Sequence, residues 1–304
     1  MESTGKSQAL TRSQGFADHL FTFAVYVIAI GALIAIGYPL YNVVINSISD
    51  PDAIYQGRVF LWPVKPTIEA YIAVINYPSI WLGYRNSVFY TFAGTLINLV
   101  VTIFAAFPLA RRDLYGRHAL TFIFSFTMFF SGGMIPTYMV VMNMGLLNTI
   151  WAMLIPGAIS VYSMIITRTF IASSIPDELL EATQIDGCND FSFFFLFVLP
   201  LSKAVIAVIA MRYAVGHWNS FFSAFLYLTR QDLYPLQVFL REILVMNQIA
   251  ASDIVDPETA IAMQGLSDLL KYSLIVISTA PILCIYPFFQ KYFVKGVMIG
   301  SIKG

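Results

Sequence analysis

Long apolar stretches alternate with shorter polar segments along this 304-residue chain. A helix that crosses a bilayer needs roughly 20 mostly apolar residues, and within lipid its backbone must satisfy its own hydrogen bonds. Six stretches meet both conditions, so the pattern predicts an all-α integral membrane protein with six transmembrane helices. Residues 1–20 are expected to form a tail, and residues 21–304 a membrane domain with its core at 86–293. The predicted spans are residues 21–43, 86–110, 119–142, 149–171, 195–218 and 272–293.

The composition supports a membrane location. Residues of the set AVILMFWYC make up 58% of the chain and charged residues only 11%, whereas soluble domains have about 45–50% and about 25%. The mean hydropathy of +0.74 agrees. A disordered chain, a collagen-like fibre and a disulfide-stapled secreted domain are therefore excluded. The 17 basic residues balance the 17 acidic ones, so nothing indicates a nucleic-acid partner.

The distribution of basic residues predicts the orientation, because lysine and arginine concentrate on the cytoplasmic side of membrane proteins. The short segment between the second and third spans carries Arg111, Arg112 and Arg117, whereas residues 143–148 carry no charge. We therefore expect both termini to be cytoplasmic. Residues 45–85 and 219–271 would then lie outside, the first as an ordered loop. Arg212 is counted with the outer basic residues, so no charged side chain is expected clearly at mid-membrane.

The sequence indicates no metal, nucleotide or catalytic site. The histidines and cysteines lack the spacing of metal ligands; they are His19, His118, His217, Cys188 and Cys284. Gly5-Lys6-Ser7 lacks the earlier glycine and the preceding strand of a phosphate-binding loop. Neither H-E-x-x-H nor G-x-S-x-G occurs. We expect a chain that is not an enzyme and holds no cofactor of its own.

One polar segment, residues 174–191, has the pattern of a helix–turn–helix between the fourth and fifth spans. Ser174 fits the cap of the first helix, Gly187 permits the positive-φ turn that ends it, and Asp190 fits the cap of the second. The segment is acidic, with no basic residue between Arg168 and Lys203. On charge alone, a solvated turn is the simpler interpretation. Its acidic residues are Asp177, Glu178, Glu181, Asp186 and Asp190.

This segment resembles the EAA loop of ABC importer permeases. The matching residues are Glu181-Ala182-Thr183, then Asp186-Gly187-Cys188, then Leu199-Pro200-Leu201. Residues 290–304 and the pair Trp218-Asn219 are similar to carbohydrate permeases of the maltose-type class. The resemblance covers nearly the whole chain, and it implies the type I ABC importer permease fold.

Three positions depart from the family pattern: Thr183 and Cys188 replace alanines, and Ala204 stands where a proline is common. The replacements are small, so close packing should survive, but the missing proline leaves the kink of the fifth span in doubt.

The resemblance further implies that residues 174–201 couple the chain to a cytosolic ATPase. Glu181 and Asp186 would pair with ATPase cations, Ala182 would allow close approach, and Gly187 would shape the turn. The implied partners are a second, homologous permease chain forming a heterodimer, two ATPase subunits that hold ATP and magnesium, an extracellular sugar-binding protein and the lipid bilayer. The implied location is a bacterial cell membrane, which the chain crosses several times.

Aromatic and amide side chains are candidates for the substrate pathway, because sugar C–H faces stack on rings. Trp218 and Asn219 lead, since a Trp-Asn pair at a span end combines stacking with an amide. For each single residue, packing in the core or at the lipid boundary is the alternative. Asn98 is expected to make a helix–helix hydrogen bond. The remaining candidates are Tyr138, Tyr162 and Tyr213.

These features predict a permease subunit of an ATP-driven importer of carbohydrate, with an oligosaccharide as substrate. The alternative is a secondary transporter or channel for a small polar solute, which would need inverted repeats or a charge at mid-membrane. A membrane-embedded enzyme would need a catalytic constellation that the sequence does not offer.

Overall fold

The computed structural model describes residues 16–252 and 257–301, and within these ranges it is helical and without β-strands. The Gly5-Lys6-Ser7 sequence, most of the predicted tail and residues 302–304 lie outside the described residues. The first helices are α1 Phe16–Asn46, α2 Pro51–Tyr55, α3 Glu69–Ile75, α4 Pro78–Ala110, α5 Arg117–Phe129, α6 Met134–Asn143, α7 Trp151–Leu154 and α8 Val161–Ser174. They are followed by α9 Asp177–Ile185, α10 Asp190–Phe193, a π-helical turn Phe194–Val198, α11 Leu199–Leu201, α12 Lys203–Trp218, α13 Phe221–Tyr227, a 3₁₀ turn Gln231–Leu233, α14 Leu236–Ser252 and α15 Pro257–Ser301.

Three of the described helices are long and apolar enough to cross a membrane by themselves: α1, α4 and α15. They contain the first, second and sixth predicted spans. The third and fifth predicted spans are not single straight helices. α5 and α6 meet at 113°, and the α10–α11 segment meets α12 at 78°, so the structure has up to five spans if each bent pair is one.

Each interruption lies at residues that weaken a helix. Between α5 and α6 stand Gly132 and Gly133, the latter at φ +86°, where glycine is favoured. Before α12 stand the π turn and Pro200, which lacks a backbone donor. The bend therefore forms without a proline at position 204. The fourth predicted span, 149–171, is divided into α7 and α8 by a non-helical stretch that contains Pro156 and Gly157.

The fold is built around α4, which packs against α8, α12 and α14. Its largest apolar core lies where α4, α8, the α10–α11 segment and α12 meet, and this cluster is called the lever core below. α1 contacts mainly α15 and leaves most of its apolar residues exposed, as expected for a surface that faces lipid or another subunit. The buried residues of the lever core are Ile103, Ala106, Leu109, Ala110, Met164, Ile171, Phe193, Phe194, Val198, Val205, Ile209 and Tyr213.

The first long segment between spans, residues 45–85, is ordered as predicted, and the described part of the second also contains helices. α2 and α3 lie in the first, with a small core of Ile45, Ala53 and Val59. The second contains α13 and α14. α4 begins at Pro78, well before the predicted start of its span.

Candidate coupling loop and translocation cavity

The acidic segment forms the predicted helix–turn–helix, with different caps. Ser174 is the last residue of α8, and α9 starts after Pro176 without a side-chain cap. Gly187 takes φ +78°, the Gly187 N–H donates to the Gln184 carbonyl at 3.0 Å, and the Cys188 N–H donates to the Thr183 carbonyl at 2.9 Å. This bond pair is a Schellman ending, which requires the left-handed residue that glycine supplies.

The second helix, α10, is capped by Asn189, where the sequence suggests Asp190. The Asn189 side chain accepts from the Ser192 N–H at 2.8 Å. Asp190 is the first residue of the helix, and its carboxylate is therefore free to pair with a cation.

One side of α9 is fixed and the other is presented outward. Thr183 is buried, and Leu179 and Leu180 pack against the lever core. The four candidates Glu181, Ala182, Asp186 and Gly187 are all exposed. Beside them Ile185 is 87% exposed, a docking candidate that sequence reasoning missed although it lies one turn after Glu181.

Ion pairs tie the base of the loop to the end of α4. Arg111, whose side chain is only 15% exposed, pairs with both Asp113 and Asp190, and Arg112 pairs with Asp177 at 3.0 Å. The hydrogen bond from Arg111 holds the pKa of Asp113 below its usual value. Within the described part of the chain, Glu181 and Asp186 form no ion pair. The loop is thus anchored through its base, while the carboxylates at its tip remain available.

A cavity of about 530 Å³ lies between α4, the break between α7 and α8, α12 and α13. Non-helical backbone is tolerated at membrane depth where it lines a water-filled space and finds other hydrogen-bond partners. Asn98 of α4 donates to the Gly157 carbonyl, and the Ser160 N–H donates to the Tyr213 hydroxyl at 3.1 Å. The broken fourth span therefore forms a polar wall.

The candidate pathway residues fall into three groups. Tyr213 and Asn219 line the cavity. Tyr138 stacks on the cavity residue Tyr227 with ring centroids 6.3 Å apart, so it supports the wall from behind. Tyr162 lies beneath the guanidinium of Arg212, whose carbon is 4.4 Å from the ring centroid.

Trp218, predicted to lead this set, does not line the cavity. It is only 5% exposed, its indole N–H donates to the Ser278 carbonyl of α15 at 3.0 Å, and its ring contacts Tyr84. The structure gives Trp218 a packing position between α4, α12 and α15, which was the alternative interpretation of its aromatic side chain.

Two further residues of α12 reach the cavity and were missed by sequence reasoning. His217 is bonded to the Asn98 side chain at 2.7 Å, so Asn98 makes the helix–helix hydrogen bond expected of it. Arg212 lies well inside α12 and lines the cavity, which corrects its placement among the outer basic residues. The sequence could have indicated this, because Arg212 stands within the apolar run between Val205 and Val215.

Comparison with known proteins agrees with this arrangement. LplC of Bacillus subtilis is 41% identical over 267 residues, which are 88% of this chain and 89% of that protein. The polygalacturonan/rhamnogalacturonan transport system permease YtcP of Bacillus subtilis is 38% identical over 288 residues, 94% of this chain and 99% of that protein. A crystal structure of a bacterial ABC transporter involved in the import of the acidic polysaccharide alginate superposes with a TM-score of 0.80 at 32% identity, covering 92% of this chain and 98% of that chain.

A family model described as binding-protein-dependent transport system inner membrane component matches residues 76–299. This range includes α4, both sides of the cavity and the whole acidic loop. Together with the apolar helices, the match makes the protein a multi-pass membrane protein of the type I permease fold. The chain therefore belongs to the family of inner membrane components of binding-protein-dependent transport systems.

Proposed function

We propose that the chain is a permease subunit of an ATP-driven, binding-protein-dependent importer of carbohydrate, with an oligosaccharide as substrate, and that it forms half of the translocation pathway. One observation carries the proposal: the continuous stretch from α9 to α12 presents an acidic loop at one end and walls a polar cavity at the other. The polysaccharide substrates in the names of YtcP and of the alginate importer support the substrate class.

The loop is the proposed contact with a cytosolic ATPase subunit, which would bind ATP and magnesium and perform the hydrolysis. Glu181 and Asp186 offer two carboxylates without ion pairs among the described residues, and charge-assisted hydrogen bonds to arginine or lysine are the strong ones in proteins. Ala182 and Gly187 have no bulky side chains, so the ATPase subunit can approach the loop closely. We also propose that both termini are cytoplasmic, which the distribution of basic residues supports.

The pathway needs a second wall. The cavity is an open cleft, and exposed polar side chains such as Arg212 and Asn219 cannot face lipid without a large cost. A second permease chain, homologous to this one, would close the cleft and carry its own loop for a second ATPase subunit. An extracellular sugar-binding protein would deliver the substrate to the outer end of the cleft.

The test is co-purification of the ATPase subunit with a Gly187→Trp variant. At φ +78° any side chain other than hydrogen is strained, but nothing lies within 4 Å of the added Cβ. We therefore expect inserted, folded protein whose tryptophan blocks docking. ATPase recovery and ATP-dependent uptake should both fall at least tenfold, which is the loss that about 1.4 kcal/mol of docking energy produces.

Gly57→Trp is the matched control, because Gly57 also has a positive φ, +65°, and open space around its Cβ. It carries the same backbone strain on the segment between the first two spans, so it should retain ATPase and uptake. If Gly187→Trp recovers as much ATPase as Gly57→Trp, the proposed coupling role of the loop is wrong.

A further inference from the structure

Arg212 is the charged residue of the cavity. Among the described residues that line it, Arg212 is accompanied by serines, tyrosines, asparagines, His217 and apolar groups, but by no carboxylate. Arg212 lies nine residues after Lys203, or roughly 14 Å along α12 at the helical rise. A guanidinium this far into a membrane helix is costly unless it faces water or finds an anion.

Within the described part of the chain, no aspartate or glutamate pairs with Arg212, and its guanidinium lies against the face of Tyr162. The cation–π contact holds one side of the planar group at 4.4 Å from the ring centroid. It leaves the N–H fork unpaired. Arginine stays ionised at any physiological pH and matches a carboxylate with two parallel hydrogen bonds. Among the described residues of this chain, the cavity therefore contains a positioned cation without a carboxylate partner.

A further polar side chain lines the same cavity as this cation. The exposed amide of Asn219 is seven residues, about two turns, from Arg212 on the same helix. Ser220 also lines the cavity, but its hydroxyl oxygen is shielded from solvent and so is not available to a ligand there. A ligand that satisfies both Arg212 and Asn219 carries a carboxylate and hydroxyls on one scaffold.

We propose that the transported oligosaccharide is anionic, built from uronic-acid units, and that Arg212 binds a sugar carboxylate as the chain passes through the cavity. The inference rests on the proposed function and specifies its substrate class. A neutral sugar would displace water from the guanidinium without offering it an anion, whereas a sugar carboxylate would pair with it. Arg212 would thus select acidic over neutral sugars.

The experiment compares two probes with the same sugar backbone, one anionic and one neutral: trigalacturonate and its fully methyl-esterified form. ATP-dependent uptake of each is measured in proteoliposomes that contain the whole transporter and its binding protein. The wild type should prefer the free acid. Arg212→Gln should lower uptake of the acid about tenfold or more, the loss typical of a charge-assisted hydrogen-bond pair, and leave uptake of the ester unchanged. Arg212→Lys, which keeps the charge but not the fork, should lie between.

Arg241→Gln is the control variant. Arg241 also rests on an aromatic ring, that of Phe221, at 4.6 Å, but it does not line the cavity, so it should transport like the wild type. An equal loss of both probes in Arg212→Gln would make the residue structural and overturn the inference. Uptake of neutral maltotriose but of neither probe by the wild type would also overturn it while leaving the carbohydrate importer intact. Failure with every carbohydrate would overturn the proposed function itself.

Discussion

The contact between α4 and α14 leaves no room for a methyl group at Gly83. A Cβ built there would lie 2.8 Å from the Leu236 Cα, 2.8 Å from the Phe239 Cδ2 and 3.1 Å from the Leu236 nitrogen. Two of these atoms are backbone, so a rotamer change cannot relieve the overlap. Just beyond, the Ser87 hydroxyl accepts from the Leu236 N–H at 2.8 Å in a buried bond. Gly83→Ala must therefore displace the start of α14.

The size of the effect follows from the geometry. Ordinary contact begins at 3.4 Å, so α14 has to recede by about 0.6 Å, which stretches the Ser87 bond toward the limit of hydrogen bonding. Overpacking costs about 1–3 kcal/mol, and leaving a buried donor poorly satisfied costs about another 1–3 kcal/mol. Alanine regains about 1 kcal/mol through its better helix propensity. The expected net loss is about 1–5 kcal/mol.

The assay is the temperature at which half of the purified protein in detergent loses its monodisperse elution peak. Gly37→Ala is the matched control, because Gly37 is also helical and has nothing within 4 Å of its added Cβ. We expect Gly83→Ala to melt several degrees below the wild type and Gly37→Ala to melt at or slightly above it. Equal midpoints for the two alanine variants would refute the close packing of α4 on α14.

Two further predictions concern the cavity and the loop. In Gly94→Ala the added methyl overlaps the His217 ring, so the bond between His217 and Asn98 should break; we expect a lower melting temperature and slower uptake, and unchanged values would contradict the arrangement. Arg111→Gln removes the ion pair to Asp190, which anchors the loop, together with the pair to Asp113. It should raise protease cleavage in the loop and reduce ATPase co-purification several-fold. Arg112→Gln removes one exposed pair, usually worth about 0.2–1 kcal/mol, and should resemble the wild type; equal effects of the two glutamine variants would argue against anchoring by Arg111.

Hydropathy and helix-end chemistry account for what the sequence predicts well. Long apolar stretches are required in lipid whatever the tertiary structure, so the all-α membrane fold is read from composition and length alone. The end of α9 at Gly187 is likewise local, because the Schellman ending requires a left-handed residue. The direction in which each helix runs, by contrast, is not determined by local sequence. A hydropathy window measures how apolar a stretch is, and α5 with α6 remains apolar through a 113° bend.

The cavity was the least predictable part, because tertiary packing determines which side chains line it. Trp218 and Asn219 are adjacent in sequence, yet one is sealed against α15 and the other is exposed at the cavity. Arg212 is a charge inside a span, which weakens the argument against a secondary transporter. The family match over residues 76–299 decides that question in favour of a binding-protein-dependent system.

A movement of the loop reaches the cavity only if the 78° bend before α12 is rigid and does not act as a hinge. The lever core answers this, since it includes residues on both sides of the bend: Phe193 and Val198 before it, and Val205 and Ile209 after it. A close-packed cluster resists shear between its members. The two limbs should therefore move together. A displacement of α9 by an ATPase subunit would then reach Tyr213, which belongs to the lever core and also lines the cavity, without being absorbed at the bend.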